Sequence, residues 1–111
     1  VHAFDVLGDP VRRRILEILA RNEHLASGEI VKIIGAEFGI TQSAVSQHLK
    51  VIRDSGFANV TIAGSRRLYE LETEPLQEVD GWLSQFRDFW APKLDALATE
   101  VERGKRQRRK K

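Results

Sequence analysis

A chain of 111 residues that is 41% hydrophobic can bury one modest core, so a single domain is the expectation. With no cysteine it has no disulfide framework, thiolate metal site or thiol nucleophile, which fits a reducing cytoplasm. The net charge of +2 hides an asymmetry: residues 103–111 hold seven of the 18 basic residues, and the rest of the chain sets 11 against 16 acidic ones, a net of −5.

A like-charged terminal block is usually disordered and solvated, and it attracts nucleic-acid phosphates without sequence preference. The basic isoelectric point is therefore no evidence for specific DNA binding. No apolar run approaches the roughly 20 residues that span a bilayer, and no basic segment leads into an apolar stretch at the N-terminus. Neither membrane anchor nor signal peptide is expected, although Val1 in place of Met suggests a natural start elsewhere.

In chain order, a short apolar piece around Phe4, Val6 and Leu7 precedes Gly8-Asp9-Pro10. Asp9 suits an N-cap and Pro10 a first helical position, which predicts a helix with Val11, Ile15, Ile18 and Leu19 buried and Leu16 on the flank. Asn22-Glu23-His24 marks its exit. Ser27-Gly28 opens a second helix, carried by Ile30, Val31, Ile34 and Phe38 and stopped by Gly39.

A third helix follows with Thr41 as its cap. Ala44, Val45, Leu49 and Ile52 share one face of it, leaving Gln42, Ser43, Ser46, Gln47 and Lys50 to point outward. Gln pairs with adenine, Ser approaches either kind of base edge, and Lys suits guanine or phosphate. Two helices joined by a tight Gly-containing turn make a helix-turn-helix pattern whose second helix is equipped to read a major groove. His48, on that helix, fits a phosphate contact or local packing better than metal ligation.

Ser55-Gly56 ends the reading helix, and Phe57 to Ile62 and Arg66 to Leu71 form two β-prone runs around Ala63-Gly64-Ser65, a hairpin. Arg66 and Arg67 stand where such a hairpin would meet the flanking DNA backbone or minor groove, whereas Tyr69 packs beneath it. On an arbitrary protein hairpin arginines are most often merely solvated, so their reading depends on the helix before them.

From Glu74-Pro75 the helical pattern returns: Leu76, Val79, Leu83, Phe86, Trp90, Leu94, Leu97 and Val101 form a seam over about seven turns, widened by Trp82 and Phe89. A helix this apolar needs a covering surface, and dimerisation supplies one; packing on its own domain, or an aromatic ligand pocket, are the competing readings. Pro92 tends to kink or break the helix.

Taken together, Leu7-Gly8-Asp9-Pro10-Val11-Arg12 with Ile15-Leu16, the run Gln42 to Ile52, Gly56-Phe57, and Gly64-Ser65-Arg66-Arg67 before Leu68-Tyr69 resemble the ArsR/SmtB family of winged helix-turn-helix regulators. The resemblance implies a mainly α fold with a small β-hairpin, dimerising through its N- and C-terminal helices. It also implies a bacterial homodimeric repressor on an inverted-repeat operator. DNA contacts are then expected from Thr41, Gln42, Ser43, Ser46, Gln47, His48, Lys50, Arg66 and Arg67. Dimer contacts are expected from Phe4, Leu7, Leu76, Val79, Leu83, Phe86, Trp90, Leu94 and Leu97. Residues 1–102 would form the DNA-binding and dimerisation domain, and 103–111 a basic tail.

The family's metal sites use cysteines before the reading helix, or Asp, His and Glu on the last helix. Here Leu25 to Ile34 has no cysteine and the last helix no histidine, so no metal or other cofactor is expected, and no inducer is named. His2, His24 and His48 show no metal-ligand spacing. No phosphate-cradling loop or spaced His and carboxylate set suggests an enzyme. The rival reading is a winged-helix protein-interaction module that holds nucleic acid only loosely through its tail.

Overall fold

The computed structural model describes residues 2–91 and 101. The elements run α1 (Ala3–Leu7), α2 (Pro10–Arg21), β1 (Leu25–Ala26), α3 (Ser27–Phe38), α4 (Gln42–Asp54), β2 (Ala58–Ala63), β3 (Arg66–Leu71) and α5 (Glu74–Ser84). Two compact units divide the chain, Val1–Val79 and Asp80–Lys111, and α5 begins in the first and ends in the second.

The helices of the first unit start and stop where the side chains dictate. Asp9 Oδ1 accepts from the backbone N–H groups of Val11 (2.8 Å) and Arg12 (3.2 Å), satisfying two orphan donors of α2, and Pro10 needs none. At α3 the N-cap is Ala26, which has no oxygen to offer, but Glu29 reaches back so that Ala26 N donates to its Oε2 at 3.4 Å. Gly39 then ends α3 with φ of 64°, a left-handed cap that a side chain would strain. Thr41 Oγ1 accepts from Ala44 N at 3.1 Å and sets the first turn of α4.

Burial on Asp9 alone would raise its carboxyl pKa, but the hydrogen bonds from the Arg12 and Val11 backbone N–H groups and the Arg12 guanidinium outweigh it and hold it below its ordinary value. A depressed folded pKa means stability present above the unfolded value and lost as pH falls through the folded one. Asp9→Ala is expected to cost about 1 kcal/mol at neutral pH. Urea melts of the two proteins should begin to converge as the pH falls past the ordinary Asp value of about 4, and finish only once it has passed below the lower folded one.

One core joins these helices to the sheet: Val6, Ile15, Leu16, Ile18, Leu19, Ile30, Ile34, Val45, Leu49, Ile52, Phe57, Ala58 and Tyr69. Leu16, read as flanking, is buried with the stripe, and Val11 is only half-buried. Across the surface Arg14 clamps α2 to α3 with Nε and Nη2 on the two oxygens of Glu37 at 2.9 and 3.0 Å, and this pairing holds the Glu37 carboxyl below its usual range.

The hairpin turns at Gly64-Ser65, with φ of 65° at Gly64 and none positive at Ser65, as a type II′ loop requires. It gains a third strand, for the antiparallel order is β1-β3-β2, with Leu25 opposite Tyr69 and Ala26 opposite Leu68. A two-residue strand carries no alternation to read, and only the open edge of β3 defines it. The N-terminal piece is likewise a five-residue helix, α1, too short to show periodicity; His2 Nδ1 caps it by accepting from Phe4 N at 3.2 Å.

The expected seam from Leu76 to Val101 is not one continuous helix, since α5 stops at Ser84, a turn occupies residues 85–86 and helix resumes over residues 87–91. Ser84 Oγ donates to Gly81 O (2.6 Å) and Gln85 Nε2 to Trp82 O (2.9 Å), while Phe86 N and Phe89 N bond three residues back, to Leu83 O and Phe86 O. Side chains competing for helix carbonyls and the shift to three-residue spacing break the α pattern there. Pro92, Leu94 and Leu97, and the expected boundary at residue 102, lie outside the described residues.

Candidate nucleic-acid interface

Helix α4 has two chemically distinct faces. Val45, Leu49 and Ile52 are buried, fixing the helix against the core, and Ala44 is half-buried beside them. Thr41, Gln42, Ser43, Ser46, Gln47 and Lys50 are all exposed, so the amide, hydroxyl and ammonium groups selected from the sequence share one open face. His48 is half-buried, with Nδ1 3.3 Å from Arg12 Nη1.

Beside this helix the hairpin leaves the core: Tyr69 is buried and Val60 half-buried at its base, whereas every residue from Thr61 to Arg67 is exposed. The outer half is thus a wing with solvent on both faces. A cleft of about 260 Å³ joins wing to helix, floored by Leu49 and Tyr69 and edged by Ser27, Ser46, Lys50, Arg53 and Arg67. A second, of about 410 Å³, shares Ser27 and Arg67 and adds Gly28, Glu29, Lys32, Ser65 and Arg66.

The two wing arginines differ in their partners. Arg66 Nη2 donates to Glu29 Oε1 at 3.0 Å, tying the wing to the start of α3, while the Arg67 guanidinium makes no hydrogen bond or ion pair among the described residues. Sequence reasoning missed Ser27, Lys32 and Arg53 as part of this surface. Arg53 was recoverable, since Ser46, Lys50 and Arg53 step by four and three along one helix face.

Of the side chains expected at a dimer contact, Phe4, Leu83 and Trp90 are exposed, and Leu7, Leu76, Val79 and Phe86 are half-buried. Leu7 and Leu76 line an apolar groove of about 310 Å³ in the first unit, with Leu16, Ala20 and Leu71. In the second unit Trp82 packs on Phe86 with ring centroids 4.8 Å apart, and Phe89 is 75% exposed. Among the described residues no three His, Asp or Glu side chains gather as a metal site, and no helix is long and apolar enough to cross a membrane.

A second helix with a polar open face, set on a three-helix core and flanked by a projecting hairpin, defines a winged helix-turn-helix DNA-binding protein. Comparison with known proteins agrees: residues 9–60 match the family described as "Bacterial regulatory protein, arsR family". The chain is 33% identical over 100 residues to the HTH-type transcriptional regulator Rv2034 of Mycobacterium tuberculosis, covering 90% of this chain and 86% of that one. It is 27% identical to the transcriptional repressor SdpR of Bacillus subtilis over 77% of this chain and 89% of the other. An ArsR family transcriptional regulator of known crystal structure superposes with a TM-score of 0.66 at 27% identity, covering 80% of this chain and 87% of that one. The chain belongs to the ArsR family of bacterial transcriptional regulators, whose winged-helix domains bind DNA.

Proposed function

We propose that the protein is a homodimeric repressor that sets two α4 helices into successive major grooves of an inverted repeat, about one helical turn apart, and blocks a promoter. The observation that carries this reading is α4 itself: three buried apolar anchors on one side and an uninterrupted polar face on the other. Gln42, Ser43, Ser46 and Gln47 read base edges, Lys50 contacts a base or phosphate, and Thr41 and His48 sit at the edge of the groove. Residues 1–102 work as one DNA-binding and dimerisation unit, with 103–111 adding affinity that does not depend on sequence. Exposed Phe4, Leu83 and Trp90 support dimerisation, because apolar side chains of this size favour a covering surface. The repressor relative SdpR supports the direction of regulation.

Two chains per duplex in sedimentation, and loss of transcription in vitro from a promoter carrying the bound sequence, are the expected results. One chain per duplex, or increased transcription, would overturn the proposal.

The wing makes a sharper prediction. Arg67→Ala should weaken binding to every sequence and lower the slope of log affinity against log salt by about one, as for one lost phosphate contact. Arg66→Ala should do less, because Glu29 already holds that guanidinium. Glu29→Gln should release Arg66, raising affinity and steepening the slope by up to about one. Titrations at several salt concentrations check all three, and an Arg66→Ala loss equal to that of Arg67→Ala would contradict this division of labour.

A further inference from the structure

The Arg12 guanidinium joins three helices. Its Nε donates to Val6 O at 3.1 Å and its Nη2 to Asp5 O at 2.8 Å, both on α1; Nη1 lies 3.9 Å from Asp9 Oδ2, just before α2, and 3.3 Å from His48 Nδ1 on α4. The side chain is only 18% exposed. A guanidinium stays protonated and accepts no hydrogen bond, so His48 Nδ1 must supply the lone pair, and a neutral ring then carries its proton on Nε2. With Nδ1 turned to Arg12, the opposite edge of the half-buried ring presents an N–H donor. His48 follows Ser46 and Gln47 and precedes Lys50 on the helix whose open face they form.

We infer that Arg12 is a positioning residue that fixes His48 as its Nε2–H form, and that this N–H donates to a DNA phosphate oxygen beside the reading helix. The inference rests on α4 being the groove helix. It gives Arg12 a part in DNA binding without contact to DNA, and it ties the placement of α1 to the presentation of α4 through one side chain.

The two ring nitrogens can be replaced separately. Asn in place of His48 keeps an acceptor near the Nδ1 position and loses the distal donor, whereas Gln keeps a distal N–H and loses the acceptor. The full chain is titrated with a mixed-sequence duplex at low salt, because a phosphate contact operates on any sequence. His48→Asn should lose about tenfold in affinity, as for one hydrogen bond to a charged group, and His48→Gln should retain more. Arg12→Lys, which cannot reproduce the planar fork, should lose affinity in the wild-type background and little further in His48→Asn.

Nitrogen NMR of the free protein should show His48 protonated at Nε2 and bare at Nδ1, with a mixture of forms in Arg12→Lys. His48→Asn keeps the acceptor for Arg12, so its thermal melt serves as the folding control. Losses that multiply in the double variant, or a free protein with His48 protonated at Nδ1, would overturn the inference. A wild type that binds the mixed duplex but enriches no preferred sequence would overturn the regulator reading while leaving this contact measurable. Binding to no duplex at all would overturn both.

Discussion

Gln47→Ala is expected to reduce discrimination at one base position by about 1–3 kcal/mol, roughly five- to 150-fold, while the fold stays intact. Gln47 is exposed on α4, and no protein hydrogen bond holds its amide among the described residues. Truncation therefore leaves no unpaired buried group, and the loss falls on readout alone. Competition between the preferred duplex and its single-base variants measures this: preference should flatten at one step in each half-site and persist elsewhere. An unchanged preference would remove Gln47 from base readout and shift that role to Gln42, Ser43 or Ser46. The contrast with Arg67 is diagnostic, since loss of a phosphate contact weakens all sequences together.

Phe57→Ala should destabilise the protein by about 3–5 kcal/mol, a large share of the roughly 5–15 kcal/mol that holds a typical domain folded. Phe57 is fully buried where α4 hands over to β2; its N–H donates to Ile52 O at 3.0 Å and its carbonyl accepts from Glu72 N at 2.9 Å. Removing the ring leaves a cavity among side chains from α4 and the sheet, whose mutual placement sets the angle between reading helix and wing. Denaturant midpoints at unchanged slope measure the loss, and a change below about 1 kcal/mol would mean that the core collapses around the missing ring. DNA binding should fall in parallel although Phe57 is far too buried to touch DNA.

Where a signal extends over several turns or is fixed by a single chemical requirement, the sequence was legible. Asp9-Pro10, Gly39 and Thr41 each satisfy a need of a helix end, and the structure places them at those ends. The two faces of α4 followed from spacing, and the hairpin from two β-prone runs around Ala63-Gly64-Ser65, although the turn itself takes only Gly64-Ser65 because Ala63 pairs with Arg66. Short elements were not legible: α1 has five residues and β1 two, and each is defined by what it meets in space. The break after Ser84 was hidden for a different reason, because the apolar spacing continues through Phe86 and Phe89 while local side chains take the helix carbonyls. Pairing between distant residues was the least visible, since nothing in the order of residues shows that Glu29 would take Arg66 and leave Arg67 open, or that Arg12 would reach His48. Those pairings give chemically similar residues different parts in the proposed interface.

Selection of binding sites from a random duplex library at physiological salt, with the full chain and with a version lacking residues 103–111, tests the central claim most directly. An enriched inverted repeat that persists without the tail is the predicted result, because base readout belongs to α4 and the wing adds backbone contacts. Binding that enriches no sequence and disappears with the tail would contradict it, leaving a winged-helix interaction module with a nucleic-acid-binding tail.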